Sequence, residues 1–565
     1  MKRLFLIALL MMALVLTVSC GAKDTAAESS TAKPDTTVGA ESSTADSSDT
    51  TVGAESSTAD SSDTVVGEVP KSDGLIFQPT SDGTGYFVSG IEGDAPKALL
   101  IPETHEGKAV VGIADNAFSQ NKLIEKIVLS DSIRTIGRGA FMGCQYLVEV
   151  VFSKNLETIG MSAFMGCTVL SKIELPAGLH TVDDGAFASC KHLYTIEVDP
   201  ANAVFYSEGN CLIEKSTKTV VVGCMNSTIP NGVETIGKLA FKGLVLLKTI
   251  TIPDSVKTIE MMAFRDCTAL SEVVLPSGLL TLGQQAFMGC SALTEVALPK
   301  SVQTIGSGAF EECRALERLT LPFCGVGTRE EATMKTLFGV PVSITDDTIP
   351  ESFTTLVITD TTVVSKAAFR DFKHLKSITL PSGVVSIGDN AFEDCQSLVD
   401  FAIPEGVQTI GEFAFSNCWS LERVVIPSGV TEIGQSTFAG CSALAEVVFP
   451  DGLKTIGRRA FDHCSSIVSL TLPSGLESIG EMAFSLMRAL ESVTLPAGLE
   501  SIGRTAFESC TALTSIVIPQ SVTTVGVLAF HGCSQLTVNC EIGEKPEGWH
   551  AKWNGDASVV WGYIG

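Results

Sequence analysis

Cysteine and histidine are the side chains here with the widest chemical reach. A thiolate attacks, bridges or ligates a soft metal, and an imidazole moves a proton or holds zinc. The chain has 17 Cys and 7 His, and their spacing argues against those uses. Twelve cysteines (Cys144, Cys167, Cys190, Cys267, Cys290, Cys313, Cys395, Cys418, Cys441, Cys464, Cys510 and Cys533) each fall three residues after a Phe. Leu244, Phe372 and Met487 stand at the same register elsewhere. The position therefore reads as a buried apolar filler, with free Cys acting as a small hydrophobe. Neighbouring rungs present parallel Cβ vectors, which is poor bridging geometry. No CxxC pair, HExxH, GxSxG or phosphate-cradling loop occurs, so no metal, cofactor or enzyme chemistry is expected. Asp462-His463-Cys464 assembles the residue types of a triad on one turn, where adjacent residues point apart, and reads as solvated surface. Cys211 and Cys224 flank a hairpin-like stretch and are the pair expected to bridge in an oxidising compartment.

The Phe that sets the cysteine register recurs at 118, 141, 164 and 187, at 241, 264, 287 and 310, and at 369, 392, 415, 438, 461, 484, 507 and 530. Within each block the spacing is 23, and in fifteen of the sixteen units apolar residues follow at +6, +9 and +11, as with Leu421, Val424 and Ile426 after Phe415. Side chains two apart on one face mean a strand, and Pro at +12 (Pro404, Pro427, Pro450) ends it because it cannot donate to a ladder. Each coil is thus expected to contribute one short parallel strand, with turns or short helical segments between. No single unit buries its apolar residues alone, and stacking makes one core.

Two steps break the period: 54 residues from Phe187 to Phe241 and 59 from Phe310 to Phe369. They place a hairpin-like insertion near 200–228 within a first array (111–321), then an irregular insertion (322–365) and a second array (366–540). Residues 71–110 and 541–565 read as caps, the latter because Trp549, Trp553 and Trp561 would close the open end of the core. Residues 21–70 are Ser, Thr, Ala, Asp, Glu and Gly, with TTVGAESSTADSSD repeated in tandem, a composition that buries no core and forms a disordered tether. Formal net charge is −26, of which residues 71–565 carry −20. That sign repels phosphate backbones and anionic head groups, so nucleic acid is excluded as a partner and attachment to a membrane needs another device.

Residues 1–20 supply one. Lys2 and Arg3 precede an apolar run, Leu4 to Leu16, too short to span comfortably, and small residues then flank Cys20. This resembles a bacterial lipoprotein signal peptide, with Thr17 in the place that usually holds leucine. The resemblance implies that Cys20 is the acylated N-terminus, and Gly21 after it favours the outer membrane. An ordinary secretory peptide with a chance cysteine is the alternative.

The unit itself, IPSGVTEIGQSTFAGCSALAEVVFP (Ile426 to Pro450), together with Gly85 to Gly90 near the start and Lys545 to Trp549 and Val560 to Tyr563 near the end, resembles the BspA-like leucine-rich-repeat surface antigens of bacteria. The resemblance implies a leucine-rich-repeat solenoid of the BspA type. It also implies a cell-surface lipoprotein that attaches to host extracellular-matrix or plasma proteins such as fibronectin and fibrinogen, with no small-molecule substrate. A scaffolding lipoprotein that binds other bacterial envelope proteins is the alternative. On a leucine-rich-repeat sheet ligands commonly dock on the exposed strand face, here Lys126, Glu149, Lys172, Glu272, Glu295, Arg318, Asp400, Arg423 and Glu446 at +8 with Val425 and Val448 at +10. One account of this row is β-propensity with solvated charge. The other is a mildly apolar stripe that receives an extended protein segment.

Overall fold

The computed structural model describes residues 73–324, 334–340 and 349–564, all within one folded unit beginning at Glu68. The expectations for Cys20, the signal segment and the tether lie outside the described residues. Within the unit the Phe column sets the geometry. Its rings stack at centroid separations of 5.0–6.0 Å within each of the three blocks and are themselves fully buried. Apolar residues at +6, +9 and +11 fill the remaining core, for example Leu421, Val424 and Ile426.

Two strands per coil, not one, carry the stack. The expected strand is present: Arg423–Val425 pairs in parallel with Glu446–Val448, each residue opposite its counterpart 23 positions on. A second, two-residue strand follows, as at Glu432–Ile433, which pairs with Thr455–Ile456. Its side chains alternate out and in, and the inward Ile433 is fully buried.

A third backbone ladder runs through the turn around each Phe. The N–H groups of Phe413, Phe415 and Asn417 donate to the carbonyls of Gln435, Thr437 and Ala439 at 2.9, 2.8 and 2.7 Å. All three can reach the next coil because the residues two before and two after the Phe are left-handed, as at Phe413 (φ 57°) and Asn417 (φ 59°). This conformation recurs in coil after coil, at Leu239, Met262, Met482 and Leu528 on one side and at Asp266, Glu312, His463 and Ser509 on the other. Each non-glycine residue there carries about 1–2 kcal/mol of backbone strain, which the inter-coil hydrogen bonds and packing must exceed.

Both breaks in the period hold irregular coils. Residues 205–222 form three antiparallel strands, Phe205–Glu208, Cys211–Glu214 and Thr219–Val222, where a hairpin was expected. The last of these pairs in parallel with Thr235–Ile236 and so rejoins the stack. This insert separates two cores: Leu212, Val222 and Cys224 pack with the preceding coils, Cys211, Ile213 and Val220 with the following ones. Gly223 takes a Phe register position, its N–H donating to Ala240 O at 2.8 Å. A Cβ there would lie 2.1 Å from Phe241 Cε1, so only glycine leaves room for the first ring of the next block.

The second insertion is shorter than its expected limits, 322–365. Thr355–Ile358 pairs in parallel with both Arg318–Leu321 and Ser377–Thr379, and Val363–Val364 with Ser386–Ile387, so the regular stack already includes these residues. A 3-10 turn, Lys335–Phe338, supplies the carbonyl of Leu337 to Phe310 N–H at 3.0 Å. Lys335 Nζ meets Asp371 at 2.6 Å with both side chains almost wholly buried, which ties this turn to the second array.

Both ends of the stack carry added strands or buried aromatic residues. At the start, Leu75–Pro79 pairs antiparallel with Gly85–Ile91, whose outer edge passes to Lys108–Ile113. At the far end Trp549 and Trp553 are buried, Trp549 Nε1 donates to Val522 O at 3.1 Å, and Ser558–Trp561 adds a final strand to Thr537–Cys540. Phe415→Ala is expected to lower the urea-unfolding free energy by about 3–5 kcal/mol. Gly223→Val should cost at least as much, because the new side chain overlaps Phe241; an unchanged unfolding midpoint for either variant would contradict this packing.

Candidate binding surfaces

The strand face presents its charges in pairs. Lys126 meets Glu149 at 2.8 Å, Lys172 meets Glu174 and Glu197 at 2.6 and 3.1 Å, Arg423 meets Glu446 at 2.9 Å, and Arg318 lies 3.8 Å from Glu295. Hydrogen bonds to Glu174 and Glu197 raise the Lys172 pKa above its ordinary value. Three of these five pairs join residues 23 apart, so the ladder that aligns the coils also aligns opposite charges. Exposed pairs of this kind contribute little stability, about 0–1 kcal/mol each. Their consequence is a face whose formal charges largely cancel. Glu272 forms no such pair among the described residues. Asp400 lies on the short strand Asp400–Phe401.

Between the charges the +10 row stays open and apolar. Val151, Val274, Val425 and Val448 are 41, 54, 37 and 39% exposed. The sequence-predicted face is therefore brought together along the stack, and its apolar component is the part left free for contact.

The cysteine column is buried and unbridged, as expected of a filler, and its thiols act as donors as well. Each of its twelve thiols donates to the carbonyl of the Phe one coil earlier, at Sγ–O distances of 3.0–3.3 Å. Phe415 O thus accepts both Cys418 N–H at 3.3 Å and Cys441 Sγ at 3.2 Å. Cysteine recurs because it is small, apolar and still carries one donor for a buried carbonyl. Burial pushes the Cys190 and Cys441 thiols up to about 12, well away from a nucleophile's range.

Cys211 and Cys224, expected as a disulfide, are free buried thiols in this structure. Cys224 Sγ lies 3.3 Å from Asn210 O and 3.5 Å from Ser227 Oγ, while Cys211 faces Gly209 O at 3.7 Å. The Asp462-His463-Cys464 turn is half of what it resembles. His463 Nδ1 meets Asp462 Oδ1 at 3.0 Å on the surface, but Cys464 points inward to Phe438 O at 3.2 Å. Among the described residues no group of three His, Cys, Asp or Glu side chains could hold a metal ion, and no helix is long and apolar enough to cross a membrane.

Sequence reasoning overlooked a groove on the turn side of the second array. It runs over four coils, from Asn417 and Trp419 past Gly440 and Ser442, then Asp462, His463 and Ser465, to Leu486 and Arg488, and encloses about 570 Å³. Its one legible sign was Trp419, the only Trp outside the C-terminal cap.

Stacked parallel strands on a 23-residue period with an inward Phe column define a leucine-rich-repeat solenoid. The profile of the BspA type leucine rich repeat region matches residues 111–224, 222–328, 350–468 and 438–543, more than half of the chain, and the chain belongs to that family. Among solved structures, a leucine-rich repeat protein from Bacteroides ovatus is 24% identical, covering 86% of this chain and 98% of its own, with a TM-score of 0.37. A leucine rich cell surface protein from Faecalibacterium prausnitzii is 22% identical over 86% and 98% of the two chains, with a TM-score of 0.28. The pneumococcal vaccine antigen PcpA is 17% identical over 88% and 98%, with a TM-score of 0.33. Comparison with curated proteins finds no match. Membership of this family makes the chain a protein-binding repeat protein.

Maleimide labelling of the native chain at neutral pH is expected to leave the column thiols unmodified until denaturant unfolds the stack. Cys418→Ala, which removes the donor to Phe392 O, should cost about 1–3 kcal/mol in unfolding free energy; rapid labelling of several thiols in the folded protein would refute the buried column.

Proposed function

We propose that this chain is an exported lipoprotein, acylated at Cys20 and displayed on the outer face of a bacterial outer membrane, that attaches to host matrix or plasma proteins by its strand face. It acts by binding and not by catalysis. The observation that carries the reading is the combination of charges paired along the stack with exposed valines between them. A neutral, mildly apolar, regularly spaced row suits an extended segment of a partner protein, which contributes side chains to it at strand spacing. The row holds no Trp, Tyr or Arg anchor apart from the paired Arg318 and Arg423, so single-site affinity is modest and many tethered copies raise it by avidity.

Surface plasmon resonance of the chain on immobilised fibronectin, fibrinogen and laminin is expected to show saturable binding to at least one of them. Val425→Gln with Val448→Gln should weaken it about tenfold, a loss of about 1.4 kcal/mol. No binding to any of the three would move the reading to a scaffold for other bacterial envelope proteins. Acylation is checked separately: labelled palmitate should enter the wild-type protein in its host and be absent from Cys20→Ser.

A further inference from the structure

The groove on the turn side has the chemistry of a ligand site that the strand face lacks. Its walls come from three register positions, +1, +2 and +4, in four successive coils. At about 4.8 Å per coil, Trp419 and Arg488 stand about 14 Å apart along the stack. The +4 row elsewhere holds Ser, Thr, Lys, Gln, Arg or Val, so Trp419 is the only aromatic in it. Its indole is 49% exposed although nothing in the core requires it.

Between the two ends the floor is lined by small residues. Gly440 (φ 78°) lies beside Asn417, where an added Cβ would sit 2.5 Å from Asn417 Oδ1, and Ser442 and Ser465 follow. Polar groups converge from the sides. Asn417 Nδ2 is held by Asp394 at 3.1 Å, which leaves its Oδ1 as an acceptor. Asp462, with its side chain 13% exposed, is shared by His463 at 3.0 Å and Arg459 at 4.0 Å. That contact occupies His463 Nδ1 and leaves Nε2 for a ligand. The exposed Arg488 guanidinium has no ionic partner among the described residues.

We propose that this groove binds an acidic oligosaccharide laid along the stack, with the apolar face of one pyranose ring on Trp419 and the carboxylate of a uronic-acid unit on Arg488. An aromatic plate binds ring C–H groups and tolerates the hydroxyls at their edges. The mixed hydroxyl, amide and imidazole lining matches a ligand that offers donors and acceptors on every ring, and a free guanidinium recognises a carboxylate by a bidentate pair. The volume is that of a small-ligand site, not of a protein interface. Charge selects the same end: Asp462 is already engaged, so Arg488 is the group left to be neutralised. The site shares no residue with the strand face and does not rest on the attachment reading.

Isothermal titration calorimetry of the full chain with a tetrasaccharide of alternating glucuronate and N-acetylglucosamine, and with its carboxyl-reduced counterpart, tests the proposal. Saturable binding of the acidic probe is expected, at least tenfold tighter than that of the reduced one. Trp419→Ser, which installs the residue of the following coils, should weaken both probes at least tenfold, while Trp419→Phe retains most of the affinity. Arg488→Gln should weaken the acidic probe only. An unfolding midpoint unchanged in each variant keeps folding out of the comparison, and the Val425→Gln, Val448→Gln double variant should bind the probes as wild type does. No binding of the acidic probe, equal binding of the two probes, or affinity unaffected by Trp419→Ser would overturn the proposal.

Discussion

The constraint on which the rest depends is that each coil completes its backbone hydrogen bonds with the next coil in three places at once. The long strand and the two-residue strand pair residues 23 apart, as at Arg423 with Glu446 and Glu432 with Thr455, and the Phe turn bonds residues 22 apart, as at Phe415 N–H with Thr437 O. Inserting one residue anywhere in a coil would satisfy at most one ladder and leave polar backbone stranded in the others, which is costly in a buried position. The period is therefore held by hydrogen bonding as much as by the Phe column. It is also why the extra chain at 205–222 forms a rebuilt coil of three antiparallel strands.

Stacking at fixed register turns a one-dimensional repeat into columns, and each column has its own chemistry. The Phe column stacks and the cysteine column donates to it, so every thiol sits on a carbonyl of the previous coil. On the surface, a Lys or Arg in one coil lies opposite a Glu in the neighbour and the two neutralise each other. A charged row read along the sequence looks like a binding face; read along the stack it is largely self-paired. Turn-side residues at +2 and +4 are paired in some coils, as Asn417 is with Asp394, but over the groove an aromatic and a guanidinium without an ionic partner among the described residues survive.

Much of this was legible in the sequence. The Phe spacing, the apolar residues at +6, +9 and +11 and the following Pro located the long strand of each coil, and the Trp cluster located the cap. The second strand was hidden by its length, since a Thr-Ile or Ser-Ile pair such as Thr455–Ile456 shows no alternation until the stack pairs it. The left-handed turn positions were hidden because the requirement falls on the backbone: Phe413, Met482 and Leu528 adopt them without any residue type announcing it. The thiol's hydrogen bond was hidden too, since substitution by Leu244 or Met487 at that register suggested size alone. The groove was out of reach because its walls lie 23, 46 and 69 residues from Trp419 and meet only when four coils are stacked.

The insert at 205–224 bears on how such a stack holds together. In a nearest-neighbour array, stability propagates through interfaces between adjacent units, and a break in the packing uncouples what lies on either side. Here the core divides at the insert: alternate residues of the strand Cys211–Glu214 face opposite cores, and no Phe ring bridges the step from Phe187 to Phe241 among the described residues. What remains continuous is the backbone, through Thr219–Val222 onto Thr235–Ile236, through Ser189 N–H to Lys242 O at 2.7 Å and through Gly223 N–H to Ala240 O. The step from Phe310 to Phe369 differs, because the core continues through Phe323, Phe338 and Phe353, and the buried Lys335–Asp371 pair clamps the irregular turn to the next coil. The first break is therefore joined by backbone hydrogen bonds and local contacts such as Leu239 against Gly185, the second by a continuous core as well. Coupling between coils should be weakest at Gly223, where the side chain has been removed to let the next ring column begin.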